Sequence, residues 1–169
     1  MKNKLIDAIK KRRSIRLYTP NKPIKTDVLK TIIDAGRYAP TARGDEPWEF
    51  IMVKKKAMLE KISNLTDHGR FIKDAGALIA VYSRETKYYL EDCSAATQNI
   101  LLAAAALGIG SCWVAGDKKK YCQKVSIALK TPSKFKLVSL ISLGYPKRKN
   151  EFRVVQKRPM KEILHTEKF

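Results

Sequence analysis

No part of this chain limits its fold more than the run from Tyr88 to Trp113. From Tyr88 to Leu107 it contains neither glycine nor proline and is built of helix formers. The first half carries Glu91, Asp92, Gln98 and Asn99. The second half, Ile100-Leu101-Leu102-Ala103-Ala104-Ala105-Ala106-Leu107, is apolar on every face. A helix of that kind has no wet side, so it is not an ordinary surface helix. It is too short and too polar at its start to cross a bilayer. Its alanines let another backbone, or a second copy of the same helix, come close. The stretch therefore predicts a helix buried in the protein centre or in a dimer interface, closed by Gly108 in a left-handed cap.

The remaining residues must supply what surrounds that helix. A length of 169 residues predicts one domain, residues 1–169, large enough for a real core. A hydrophobic fraction of 44% with mixed charges excludes a disordered tail or a coiled coil. Lys and Arg number 35 against 16 acidic residues, a formal charge of +19. That charge attracts phosphate on nucleic acid, anionic lipid or a nucleotide cofactor without choosing among them, and a generally basic surface reads the same way. Cys93, Cys112 and Cys122 form no CxxC pair, and only His68 and His165 accompany them, which argues against zinc. Free thiols, a lysine-rich start without a signal-peptide core and no membrane span fit a cytoplasmic protein.

In chain order, Leu5, Ile6, Ala8 and Ile9 predict a short amphipathic helix running into Lys10–Arg16. Pro20 and Pro23 mark an extended connection. Thr26 is the expected N-cap of a helix over 27–37, with Leu29, Ile32, Ile33 and Tyr38 on its apolar side, and Ala39-Pro40 stops it. After a loop over 41–48, residues 49–54 alternate as a strand, 56–65 as a helix, and 64–70 as a loop. Ala77–Tyr82 is a continuous apolar run suited to the middle of a sheet. Beyond the central helix come a short strand at Trp113–Ala115, a helix over 118–129 opened by Gly116-Asp117, and a strand over 136–143. The basic tail from Lys147 carries a helical turn at 161–165. About four strands surrounded by helices give an α/β or α+β class.

The candidate chemistry is spread over three places. Arg12-Arg13-Ser14-Ile15-Arg16 can offer guanidinium forks and a hydroxyl to one anion. Read alone, the signal is weak, and a solvated charge run at a helix end is the favoured reading. Ala39–Gly44 offers backbone groups able to meet the edge of a flat heteroaromatic ring, but on these residues alone a helix stop and turn is the stronger reading. Gly108-Ile109-Gly110-Ser111 follows a helix and lacks the P-loop lysine, which excludes a nucleoside triphosphate loop. His68 and His165 support no triad and read as surface or structural residues; Asp45 and Glu46 read as solvated. A chain with so little acid–base chemistry of its own points to a cofactor for the hard step.

Taken together these segments resemble the nitroreductase family of flavin-dependent oxidoreductases. Arg12-Arg13-Ser14-Ile15-Arg16 is similar to the family's N-terminal signature. Ala39-Pro40-Thr41-Ala42-x-Gly44-x-Glu46-Pro47-Trp48-x-Phe50 resembles its Pro-Trp segment. Gln98-Asn99 through Leu107-Gly108-Ile109-Gly110-Ser111-Cys112-Trp113 resembles its central helix and glycine turn, and Leu143-Gly144-Tyr145-Pro146 with Lys157-Arg158-Pro159 completes the series.

The resemblance implies an α+β fold, a mainly antiparallel sheet of four to five strands flanked by helices, and an obligate homodimer with the central helix at its interface. It implies FMN bound at that interface and NAD(P)H as co-substrate. By position, Arg12, Arg13, Ser14 and Arg16 would hold the phosphate, ribityl chain and pyrimidine side of the flavin, and Lys157 and Arg158 would complete the phosphate site. Pro40, Thr41, Ala42 and Gly44 would come from the partner chain, and Ala115 and Gly116 would present backbone N–H groups near the flavin N5 edge. The implied activity is ping-pong electron transfer to a nitroaromatic or quinone, with no catalytic side chain and no metal. The sequence departs from the pattern at Glu46, where the family has Gln, and at Gly44, where many members have Asn; it is also shorter than members with extra helices over the pocket. A basic nucleic-acid-binding module and a flavin-storage or sensing protein are the competing functions.

Overall fold

The protein is described here from a computed structural model covering residues 4–148 and 150–169; residues 1–3 of the lysine-rich start and Lys149 of the basic tail lie outside the described residues. Strand β2 is the centre of the sheet, and its composition shows why. Strands β1 (Trp48–Val53), β2 (Ala77–Arg84), β3 (Gly110–Ala115) and β4 (Phe135–Gly144) form an antiparallel sheet in the order β1-β2-β4-β3. Every residue of β2 from Ala77 to Ser83 is buried. Ala77, Ile79 and Val81 face one core, while Leu78, Ala80 and Tyr82 face the other. A strand covered on both faces needs no polar alternation. That accounts for the unbroken apolar run.

The first face is covered by α2 (Thr26–Arg37) and α4 (Tyr89–Ala106), the second by α3 (Lys56–Leu65) and α5 (Cys122–Ala128). Helix α2 sits tightly on α4: a Cβ added at Gly36 would lie 2.8 Å from Ile100 Cγ1. Asn99 Nδ2 also donates to the Ala35 carbonyl at 3.2 Å. Helix α1 (Lys4–Lys11) lies outside the core and buries no residue.

Helix α4 ends as the sequence predicts. Gly108 adopts φ +70°, its N–H meets the Ala105 carbonyl at 3.1 Å, and the N–H of buried Ile109 meets the Ala104 carbonyl at 2.8 Å. This pair of bonds is the Schellman closure. The expectation of burial on all sides needs correction for the single chain. Asp92, Cys93, Ala96, Thr97, Ile100, Leu101 and Ala104 face inward, whereas Leu102, Ala103 and Ala105 are only half-buried and Ala106 is exposed. Leu102, Ala103 and Ala106 line an apolar groove of about 410 Å³ shared with α1 and α2.

Other boundaries also differ from the sequence reading. Thr26 is the first helical residue and makes no cap; its hydroxyl accepts from Lys54 Nζ at 2.7 Å. Tyr38 is 73% exposed, its ring beside the Arg37 guanidinium and not on the apolar side of α2. Helix α5 starts at Cys122, because Asp117 turns left-handed (φ 38°) and its N–H goes to the Leu137 carbonyl at 2.7 Å. Gly110 and Ser111 belong to β3, so the glycine turn is shorter than expected. Residues 70–74 form a 3₁₀ turn, and the tail turn falls at Met160–Glu162.

Strand β4 carries one extra residue. Val81 pairs with Ser139 and Tyr82 with Leu137, leaving Val138 as a bulge. Bulges concentrate beside functional sites, and this one lies directly under the end of β3.

Candidate functional site

The Arg12–Arg16 segment is held by its one apolar residue. Ile15 is 2% exposed, and its N–H donates to the Ser111 carbonyl at 2.9 Å, so Ser14 forms a parallel bridge to Ser111 on edge strand β3. In extended backbone alternate side chains share a face. Burying Ile15 therefore turns Ser14 and Arg16 outward together, which is why a hydrophobic residue interrupts the basic run.

Arg16 lines one cavity with Cys112, and Ser14 bridges to Ser111, the residue before that thiol. Burial pushes the Cys112 thiol up, opposed by the Arg16 guanidinium, the Ser14 hydroxyl and Arg12. The Arg16 guanidinium also lies 5.9 Å from the Phe71 ring centroid. Arg13 does something else: it donates to the carbonyls of Lys10 and Lys11 and closes the C-terminal end of α1.

Two cavities meet at the end of β3. One, about 120 Å³, is lined by Arg16, His68, Phe71, Trp113, Ala115 and Tyr121, among others. Its mouth carries the Lys119–Asp67 ion pair, N···O 3.5 Å. The other, about 410 Å³, is lined by Leu90, Ser94, Trp113, Ala115, Gly116 and Asp117, among others. Trp113 and Ala115 border both. Chain reversal at Gly116 needs the missing side chain, since a Cβ there would lie 2.6 Å from the Val138 carbonyl oxygen. The neighbouring Ala115 carbonyl accepts from Tyr121 OH, and Asp117 Oδ1 accepts from Tyr89 OH at 2.9 Å.

The loop at Pro40–Gly44 lines neither cavity. It is a fixed structure nonetheless. Arg43 (φ 64°), Gly44 (φ 72°) and Glu46 (φ 41°) are left-handed, and Arg84 Nη2 donates to the Asp45 carbonyl at 2.7 Å. The Ala42 N–H donates at 3.0 Å to Asp92 Oδ1 in the first turn of α4. Exposed Pro40 and half-buried Thr41 precede that contact.

Lys157 and Arg158 are exposed and line neither cavity. Arg158 Nε pairs with Glu162 at 3.5 Å and its Nη2 donates to the Glu162 carbonyl at 3.1 Å. One chain thus places Arg16, Ala115 and Gly116 along the two adjoining cavities, with Ser14 on the neighbouring edge of β3, and sets Pro40–Gly44 and the tail residues elsewhere. Phe71, Tyr121, Lys119 and Asp92 escaped the sequence reading. Only Asp92 left a trace there, as an acid in the first turn of an otherwise apolar helix. No cluster of His, Cys, Asp and Glu among the described residues can hold a metal ion, and no helix among them is long and apolar enough to cross a membrane.

The family described as "Putative TM nitroreductase" matches residues 4–169. The chain belongs to the nitroreductase family. A nitroreductase relative from Archaeoglobus fulgidus, "Putative NADH dehydrogenase/NAD(P)H nitroreductase", is 36% identical over 165 residues, covering 94% of each chain. Among solved structures, an "FMN-dependent Nitroreductase" from Clostridium difficile superposes with TM-score 0.89 at 30% identity, over 97% of this chain and 99% of that one. A nitroreductase in complex with FMN from Desulfovibrio desulfuricans superposes with TM-score 0.82 at 26% identity, over 100% of this chain and 99% of that one. The nitroreductase fold, an α+β arrangement around a four-stranded antiparallel sheet, is therefore that of the whole described chain.

Proposed function

We propose that this nitroreductase is an FMN-dependent oxidoreductase that takes electrons from NAD(P)H and delivers them to an electron-poor acceptor, a nitroaromatic or quinone, in a ping-pong cycle. The observation that carries this reading is the outward pair Ser14 and Arg16, held against edge strand β3 by buried Ile15, with Arg16 lining the cavity at Trp113 and Ala115. A guanidinium and a hydroxyl suit one phosphate monoester, as FMN carries, and no second nucleotide-binding unit accompanies them.

Bound FMN supplies the electron relay that these side chains lack. Arg12, Ser14 and Arg16 would hold its phosphate, ribityl and pyrimidine side. The fixed positive charge would favour an anionic reduced ring. Ala115 and Gly116 would offer backbone N–H groups, with Gly116 kept small by the Val138 carbonyl. Trp113, 37% exposed between the cavities, would limit where a planar substrate can lie.

A second copy of the chain completes the site in this reading. The cavity at Arg16 holds only about 120 Å³, and its neighbour at Gly116, about 410 Å³, is broadly open to solvent, so one chain alone does not enclose a ligand. The loop at Pro40–Gly44 is then supplied across the interface, and Lys157 and Arg158 would complete the phosphate site. The half-open apolar face of α4 with its groove of about 410 Å³ is the surface that supports pairing.

The test is direct. Purified protein should carry the absorption of oxidised flavin, lose it on anaerobic addition of NADH or NADPH, and regain it with menadione. Colourless protein that binds random DNA with a steep salt dependence overturns the reading. Coloured protein without turnover reduces it to a storage or sensing role.

A further inference from the structure

Asp92 is the one buried carboxylate among the described residues, 4% exposed in the first turn of α4. Its two oxygens differ. Oδ1 accepts the Ala42 N–H at 3.0 Å, across fifty residues of sequence. Oδ2 is buried and has no hydrogen-bond partner among the described residues. A carboxylate withdrawn from water with half of its acceptor capacity unused is costly. An apolar residue of similar volume would serve a purely structural helix at least as well. Its placement at the inner end of the Ala42 loop gives a reason to keep it.

That loop could not hold its shape by itself. Three residues within four positions, Arg43, Gly44 and Glu46, take left-handed φ. The other tethers act downstream of Ala42: Arg84 on the Asp45 carbonyl, and the Arg84 N–H on the Pro47 carbonyl at 2.9 Å. On its upstream side, the contact to Asp92 is the side-chain tether that ties the loop to the core.

We propose that Asp92 is a positioning residue for the flavin site: by gripping the Ala42 N–H from inside the core, it fixes the loop that presents Thr41, Ala42 and Gly44 to the cofactor. This rests on the FMN reading above. The effect is geometric, so an acceptor at Oδ1 is what matters and the negative charge is not.

The experiment compares D92A, D92N and A42P, the last deleting the N–H from the opposite partner, because proline has none. FMN affinity is measured by fluorescence titration of each apoprotein, at a temperature where circular dichroism shows it folded. D92A and A42P should each weaken FMN binding about 10- to 100-fold, as stranding one partner of a buried hydrogen bond does. The double variant should be no weaker than either single one. D92N, which keeps an acceptor, should stay within about fivefold of wild type. Wild-type affinity in D92A, additive losses in the double variant, or a D92N as weak as D92A overturns the proposal. Hydrogen exchange of the Ala42 amide in the apoprotein gives a reading independent of flavin: it should be slow in wild type and D92N and fast in D92A. Wild-type protein that takes up no FMN overturns the cofactor reading instead, and an Ala42 amide exposed only in D92A still supports the tether.

Discussion

Arg16 and Gly116 shape adjoining cavities by opposite means, one through a charge and the other through the lack of a side chain. Arg16→Ala should lower FMN affinity by about 10- to 100-fold, the usual worth of a hydrogen bond to a charged group, read by fluorescence titration. Gly116→Ala places a Cβ 2.6 Å from a backbone oxygen that cannot rotate away. It should destabilise the apoprotein by about 1–3 kcal/mol in urea denaturation, as overpacking does. Arg12, Ser14 and Arg16 were legible in sequence because one short extended segment carries them, and the buried Ile15 fixes their direction. Phe71, Lys119 and Tyr121 were not, since they reach the cavity from two separate connections, the 3₁₀ turn at 70–74 and the turn before α5, which carry no pattern to betray them. Arg158 shows the converse: a motif residue whose guanidinium is held, within the chain, by Glu162.

At the scale of elements, α4 joins what propensity predicts to what packing requires. Its length and end were readable, because a helix-forming run without interruption meets a glycine that must turn left-handed. A Cβ at Gly108 would meet nothing within 4 Å, so Gly108→Ala isolates the conformational term. It should cost about 1 kcal/mol in thermal or urea unfolding, and FMN affinity should be unchanged. The one-sided burial of α4 was not readable, since an all-apolar face does not say which side its own chain covers. Strand β2 was legible for the related reason that burial on both faces erases alternation. The starts of α2 and α5 were missed because they depend on distant partners: Lys54 engages Thr26, and the Leu137 carbonyl captures the Asp117 N–H. Local cap rules do not see either contact.

For the whole molecule, alkaline pH probes the core. Burial pushes the Cys93 thiol from its ordinary value of 9.0 up to about 11. The unfolded thiol ionises first, so its contribution to stability is intact below pH 9 and is lost as pH rises through 11. Urea denaturation across that range should show falling stability, with a shallower decline in Cys93→Ala. Tyr82 and Tyr121, raised by burial as well, preserve part of the slope. The proposed pairing of two chains is tested by Leu102→Glu on the half-open face of α4. Sedimentation should show a dimer in wild type and a monomer in the variant, with secondary structure retained and FMN lost. A variant that stays dimeric places the interface elsewhere.

The bulge in β4 has an implication for how this strand can change. Leu137 faces the α5 side, Val138 and Ser139 both face α4, and Leu140 returns to the α5 side. Excising Val138 would join Leu137 directly to Ser139 and leave strict in–out order along the strand, with no core side chain inverted. The sheet, then, has no use for the surplus residue. What excision would take away is the kink that carries a carbonyl beneath Gly116, so a shortened protein should keep its fold and lose its grip on the yellow cofactor.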